Sequence, residues 1–150
     1  MARLIIALGS DHGGFEQKRL LGSWLSEQGL DVVDFGCDSE ESCDYPDYAK
    51  PVCEAVAAGE ADFGVLVCGT GIGMQIAANK CRGIRAANVT SEPFAKLARE
   101  HNDANVVTLS GRFVSLEENK AILKTFLTTD FAGGRHARRV GKIMALENER

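Results

Sequence analysis

A cysteine ends an apolar run and stands directly before a glycine-rich turn. Residues 65–67 are followed by Cys68, by glycines at positions 69, 71 and 73, and then by the helix-like residues 76–78. Such a turn directs backbone N–H groups at whatever lies above it, and the N-terminus of the following helix adds partial positive charge. This environment favours a thiolate over a thiol and stabilises an oxyanion held beside it. A base next to an oxyanion site is the equipment that removes a proton alpha to a carbonyl group.

Two of the three histidines are expected where the fold would place ligand loops. His12 follows Asp11, a carboxylate close enough in sequence to orient or charge a neighbouring ring. His101 ends a predicted helix, where the helix dipole favours the protonated ring, and a protonated histidine is a general acid. A metal site on these residues would lack both a ligand pair four residues apart and a dense carboxylate cluster, so we expect none.

An arginine cluster follows the third histidine, His136. Arg135 and Arg139 are four residues apart, so a helix places them on one face, and Arg138 lies between them. Two guanidinium groups at a helix N-terminus suit a phosphate dianion, whereas the alternative is a solvated basic turn. Because the chain is otherwise acidic, we favour the anion site. Together these residues suggest metal-free aldose–ketose isomerisation of a small phosphorylated carbonyl compound.

The composition is that of one globular domain covering residues 1–150. The net charge is −4, which argues against a nucleic-acid partner. No apolar run approaches the roughly 20 residues needed to span a bilayer. The five cysteines are odd in number and show no C-x-x-C pair, so we expect a reducing cytoplasm and neither a disulfide framework nor a zinc site. Cys53 is predicted to be a core residue on an apolar helix face with Ala49, Val52 and Val56.

The chain alternates strand-like and helix-like segments. Apolar runs predict strands at residues 4–8, 32–35, 63–67, 84–88 and 106–109. Helical patterns occupy residues 15–28, 48–58, 73–81, 92–100, 116–127 and 137–148. This alternation predicts a three-layer α/β fold with a five-stranded parallel sheet covered by helices on both faces. Ligands of such folds bind beyond the carboxyl ends of the strands.

Three further signals mark the ends of helices. Ser91 and Ser115 are predicted N-caps, and Glu118 completes a capping-box pattern with Ser115. Gly133 and Gly134 are the predicted hinge before the last helix, which we expect to pack on another subunit.

The glycine-rich turns do not match nucleotide-binding motifs. A dinucleotide fingerprint starting at Gly69 would need glycine at position 74, which is Met74. The first turn has P-loop glycine spacing, but Phe15 stands where lysine is required. We therefore expect neither NAD nor ATP as a ligand.

Seven segments together resemble the type B ribose-5-phosphate isomerases, a family related to the paired galactose-6-phosphate isomerase subunits. They occur in order and at the family's spacing, which makes the set far more specific than any member. The segments are residues 9–15, 44–48, 68–74, 76–80, 83–86, 99–105, and 133–136 with Arg139.

The resemblance implies a Rossmann-like fold and interconversion of ribose 5-phosphate and ribulose 5-phosphate, in the non-oxidative pentose phosphate pathway, with no cofactor or metal. Cys68 matches the base that moves a proton between C1 and C2 through a cis-enediolate; relatives without it use a glutamate at the position of Met74. Thr70 and His101 match residues that open the furanose ring, with His101 as proton donor. The positions matched to substrate binding are Asp11, His12, Tyr45, Gly69, Thr70, Gly71, Ile72, Gly73, Asn102, Arg112, Arg135 and Arg139.

In the family, the counterparts of Arg135 and Arg139 reach the site from the second subunit. The resemblance therefore implies a homodimer, or a tetramer, with the active site and the C-terminal helix at the subunit interface. Two alternatives stay open: an isomerase of a 6-phospho-hexose such as allose 6-phosphate or galactose 6-phosphate, and a non-catalytic phosphosugar-binding module. The galactose enzyme divides its site residues between unlike subunits, so the presence of both Cys68 and His101 favours a self-sufficient homo-oligomer.

Overall fold

The computed structural model describes residues 3–149, and within them five strands form one parallel sheet. The predicted domain covers residues 1–150, of which 1, 2 and 150 lie outside the described residues. Each predicted strand is present, with its ends shifted by two residues at most. The strands are β1 (Ile5–Ser10), β2 (Asp31–Asp34), β3 (Phe63–Cys68), β4 (Ala86–Asn88) and β5 (Val106–Ser110). Their order across the sheet is β2-β1-β3-β5-β4.

Six α-helices and two short 3-10 helices complete the part of the chain described. The α-helices are α1 (Phe15–Glu27), α2 (Tyr45–Ala57), α3 (Ile72–Ala78), α4 (Glu92–Glu100), α5 (Leu116–Thr128) and α6 (Arg135–Ala145). The 3-10 helices are His12–Gly14 and Leu146–Glu149. The predicted start of α2 is three residues late, because Pro46 needs no N–H partner in the first turn and lets the helix begin at Tyr45.

Two apolar clusters lie on opposite faces of the sheet. Alternate residues of the central strands supply both, since successive strand side chains point to opposite faces. On one face they pack with α1, α4 and α5, around Leu25 and Phe126. On the other they pack with α2 and α3, where Cys53 is fully buried beside Ala49, Val52 and Val56 as predicted. The three-layer α/β prediction is confirmed.

The chain reverses its direction across the sheet at β1. β2 pairs with one side of β1 and β3 with the other, so the loops that follow β1 and β3 diverge above the sheet. In open α/β sheets this is the crevice where ligands bind. The crevice joins the segment after Ser10 to the glycine turn after Cys68.

Both predicted N-cap residues lie at the N-cap positions of their helices, but only Ser115 caps its helix through the side chain. Ser115 Oγ accepts the N–H of Glu118 at 3.2 Å. Ser91 stands at the N-cap of α4, but its hydroxyl accepts no bond there, and its backbone carbonyl instead accepts the N–H of Ala95. Among residues 3–149, no helix combines the length and apolar character needed to cross a bilayer.

Candidate active site

The turn after β3 holds the Cys68 sulfur against a backbone amide. The N–H of Gly71 donates to Cys68 Sγ at 3.1 Å, and the side chain is almost fully buried. Gly71 has φ +84°, and a Cβ there would overlap Asn88 Oδ1, so only glycine fits. The next amide, Ile72 N–H, donates to Thr70 Oγ1 at 3.1 Å. The turn thus presents a sulfur that accepts a backbone N–H donor.

The loop after β1 lies beside this turn. The N–H of Asp11 donates to the carbonyl of Val67, one residue before Cys68, at 3.3 Å. The Asp11 carboxylate is buried and accepts the N–H of Gly14 at 3.2 Å, which caps the short 3-10 helix. This carboxylate therefore shapes the loop next to the cysteine.

The partner that orients His12 differs from the prediction. His12 Nδ1 accepts the backbone N–H of Cys43 at 3.2 Å, and no hydrogen bond joins the ring to Asp11 in the described part of the chain. Asp11 is therefore not the residue that orients the His12 ring; its carboxylate accepts the N–H of Gly14 instead. A neutral ring that accepts at Nδ1 carries its proton on Nε2. His12 is thereby set to donate from Nε2.

Arg112 and Tyr45 close the sides of this region. A Cβ at Gly13 would lie 3.2 Å from one Arg112 guanidinium nitrogen, and a Cβ at Gly69 would lie 3.3 Å from the other. The cation therefore lies over both loops. The Tyr45 ring packs on the first turn of α3, where a Cβ at Gly73 would lie 2.8 Å from its Cζ. Together with Cys68, Asp11 and His12, these residues form what we call the cysteine half-site.

His101 lies at the amino edge of the sheet, opposite to Cys68. The prediction that it lies in a ligand loop beyond the carboxyl ends of the strands is wrong. In the β3–β5 register Gly64 pairs with Val106 and Cys68 with Ser110. Val106 and Ser110 are four residues apart, and each residue of a strand advances by about 3.3 Å, so Val106 lies roughly 13 Å along the strand from the position that pairs with Cys68. His101 comes before Val106 in the chain and therefore lies at the amino end of β5. The reason is general: a helix between parallel strands runs back, so its C-terminal end returns to the amino edge of the sheet. Asn102 follows His101 at the same edge.

A second group of predicted residues gathers around His101. Its ring stacks on His136, with centroids 4.2 Å apart and planes inclined by 13°. The N–H of Ala132 donates to the carbonyl of Glu100 at 3.0 Å and ties the start of α6 to the end of α4. Arg135 and Arg139 are exposed on the first turns of α6. These arginines, with His101, Asn102 and His136, form what we call the histidine half-site.

Comparison with known proteins shows to which family this chain belongs. The family described as Ribose/Galactose Isomerase matches residues 6–143. The chain belongs to this family. The ribose-5-phosphate isomerase B of Escherichia coli (strain K12) is 50% identical over 146 residues, covering 97% of each chain. The structure of Clostridium thermocellum ribose-5-phosphate isomerase B is 49% identical with a TM-score of 0.96, covering 97% of this chain and 99% of that chain.

A third relative carries a ligand. The structure of Mycoplasma genitalium ribose-5-phosphate isomerase B, with bound ribulose-5-phosphate, is 43% identical and has a TM-score of 0.95. The alignment covers 100% of both chains. These comparisons confirm the family resemblance that was found in the sequence, and they cover almost the whole chain.

Two residues that support the glycine turn were given no role in the sequence analysis, although both lie at predicted strand ends. Asn88 Oδ1 accepts the hydroxyl of Thr108 at 3.1 Å and faces Gly71. Ser110 Oγ donates to the carbonyl of Gly69 at 2.7 Å. Both stand at the carboxyl ends of predicted strands, which is the signal that could have identified them.

Proposed function

We propose that this ribose/galactose isomerase family member is an aldose–ketose isomerase that interconverts ribose 5-phosphate and ribulose 5-phosphate. The observation that carries the proposal is the Cys68 sulfur, held by the Gly71 amide at the mouth of the glycine turn. The full-length similarity to enzymes named ribose-5-phosphate isomerase B supports the pentose substrate. A cytoplasmic location stays a prediction from cysteine usage.

The first step opens the furanose ring. His101 donates a proton to the ring oxygen, the C1–O4 bond breaks, and the C1 hydroxyl passes its proton through the Thr70 hydroxyl to water, which leaves an aldehyde at C1. Thr70 assists at the same end of the sugar. A histidine suits this step because it can hold and release a proton near neutral pH.

The second step moves a proton between carbons. The Cys68 thiolate takes the proton from C2, and the electron pair of that bond forms the C1=C2 double bond while negative charge collects on O1. Backbone amides of residues 69–73 stabilise this cis-enediolate. Cys68 then returns the proton to C1 as the O2 proton passes to O1, which leaves the C2 ketone. No electron leaves the substrate, so the reaction needs no redox cofactor.

Substrate recognition divides between the two half-sites. On the cysteine half-site, Asp11, His12 and Tyr45 surround the sugar hydroxyls, with Arg112 at the rim as a cation for the phosphate. On the histidine half-site, Arg135 and Arg139 supply two guanidinium groups, which suit a phosphate dianion. Asn102 adds an amide beside His101.

We further propose that the working unit is a homodimer in which each active site joins the cysteine half-site of one subunit to the histidine half-site of the other. The separation of the two half-sites across the sheet supports this, because one copy of the chain cannot bring both to one sugar. Exposed apolar side chains of α3 and the C-terminal segment suit the interface. They are Ile72, Ile76, Ile143 and Leu146.

The first test replaces the proposed base. Cys68→Ala should lower kcat for ribose 5-phosphate by at least about a thousandfold, because proton abstraction is lost. The matched control is Cys81→Ala, which removes a half-buried thiol three residues after α3 and should leave kcat unchanged. Circular dichroism checks that both variants fold. Activity of Cys68→Ala within tenfold of the unmodified enzyme would reject Cys68 as the base.

The second test addresses the shared site. Cys68→Ala and His101→Ala are each expected to be inactive, and their subunits are mixed, dissociated and reassociated. In a symmetric dimer with shared sites, an equimolar mixture regains roughly a quarter of the unmodified activity, because half of the dimers are mixed and each has one intact site. Sites contained within single subunits would give no recovery.

The family description also favours a second candidate substrate, a 6-phospho-hexose, because it includes galactose. We expect turnover of ribose 5-phosphate to exceed that of allose 6-phosphate, both measured with EDTA present. The reverse preference would keep the chemistry and change the substrate. Binding without turnover of either sugar would support a phosphosugar-binding module instead.

A further inference from the structure

His101 and His136 form a stacked pair held by two separate elements. His101 caps the C-terminus of α4, and His136 is the second residue of α6. Their ring centroids are 4.2 Å apart and their planes differ by only 13°, so one face of the His101 ring is covered by a flat partner. The His136 backbone is itself anchored, since its N–H donates to the carbonyl of Gly133 at 3.1 Å.

We propose that His136 is a positioning residue for ring opening: it holds the His101 ring in one plane and presents a neutral aromatic face to it. The inference rests on the proposed role of His101 as the acid that opens the furanose. It assigns His136 no contact with the sugar. The His136 ring acts through its neighbour.

The charges around His136 keep it neutral. Partial burial lowers the pKa of His136 below its ordinary value of 6.5, and the positive charges of His101, Arg135 and Arg139 lower it further. Glu100, on α4, acts in the opposite direction with a smaller effect. At neutral pH the ring is therefore uncharged. An uncharged aromatic face favours a cation stacked on it, so a neutral His136 suits a protonated His101.

The two directions of the reaction allow this role to be isolated. Ribose 5-phosphate is mainly a closed furanose and needs the acid before isomerisation begins. Ribulose 5-phosphate cannot close a five-membered ring, because its C5 oxygen carries the phosphate, so its C1 proton can be removed without ring opening. Loss of the His101 position should thus slow the first process and spare the second.

The test compares His136→Leu with His136→Phe. Both replace the imidazole with an apolar group of similar size, but only phenylalanine keeps a flat ring. Isomerisation of ribose 5-phosphate gives kcat and KM, and deuterium uptake at C1 of ribulose 5-phosphate in D2O, followed by proton NMR, reports Cys68 chemistry alone. Lys142→Ala, an exposed change on the same helix, is the surface control.

We expect His136→Leu to lower kcat from ribose 5-phosphate about 10- to 100-fold with KM within about threefold, since misplacing a catalytic group costs that much. Deuterium uptake should stay within about threefold, and His136→Phe should retain most of kcat. Equal losses in both assays, no loss in either, or equal losses for leucine and phenylalanine would each overturn the proposal. Failure of the proposed function is distinguishable, because the unmodified protein would then neither form ribulose 5-phosphate nor take up deuterium at its C1 position. Failure of Cys68 as the base would instead leave deuterium uptake in Cys68→Ala.

Discussion

Gly71→Ala tests whether the glycine turn is built around the Cys68 sulfur. Gly71 has φ +84°, which costs a residue with a Cβ about 1–2 kcal/mol. The new Cβ would also overlap Asn88 Oδ1 and lie 3.0 Å from the Leu109 carbonyl, which adds about 1–3 kcal/mol of overpacking. The free energy of unfolding should therefore fall by about 2–5 kcal/mol.

The same change should damage catalysis because the Gly71 amide donates to Cys68 Sγ at 3.1 Å. A hydrogen bond to a charged group contributes about 1.5–3 kcal/mol, which corresponds to a loss of roughly 10- to 150-fold in kcat. The assay is steady-state ribulose 5-phosphate formation by the folded fraction of the enzyme. Urea titration gives the stability change in parallel.

Gly59→Ala is the matched control for the backbone cost. Gly59 has φ +77°, but a Cβ there meets no atom within 4 Å. This variant should lose about 1–2 kcal/mol of stability and keep its kcat. The reasoning fails if Gly71→Ala keeps kcat within threefold, or if it is no less stable than Gly59→Ala.

Three more experiments test other parts of the molecule. Lys18→Met removes a buried ammonium that donates to both Asp34 carboxylate oxygens, at 3.0 and 2.9 Å. Urea titration should show the free energy of unfolding lowered by about 2 kcal/mol. The control Lys50→Met, at an exposed lysine, should lower it by less than about 0.5 kcal/mol. Arg135→Ala should raise KM for ribose 5-phosphate about tenfold or more with a small change in kcat, and an unchanged KM in steady-state kinetics would count against the phosphate role. Burial raises the pKa of the Cys53 thiol far above its ordinary value. Iodoacetamide at pH 7.5 should therefore leave Cys53 unlabelled in the folded protein. Peptide mass mapping that finds Cys53 labelled as fast as an exposed thiol would contradict this prediction.

Local patterns in the sequence were sufficient for the architecture. Apolar runs predicted each strand to within two residues, and helical patterns predicted the helices between them, because these signals depend on neighbours in the chain. The glycine turn after Cys68 was equally predictable, since positive φ at Gly71 and the start of α3 are local requirements. Ser91 shows the limit of such patterns: it lies at the predicted N-cap position, but its hydroxyl accepts no bond from the helix.

The arrangement of the site depended on tertiary structure. His12 accepts the N–H of Cys43, 31 residues away, and no sequence pattern predicts which nitrogen that loop reaches. His101 lies at the amino edge of the sheet because α4 runs antiparallel to the strands, so a residue expected in a ligand loop at the carboxyl edge belongs to a separate half-site. The sequence alone determined which chemical groups are present and which turns hold them. The packing of distant segments decided which groups meet, because helix direction and loop return are set by the whole sheet.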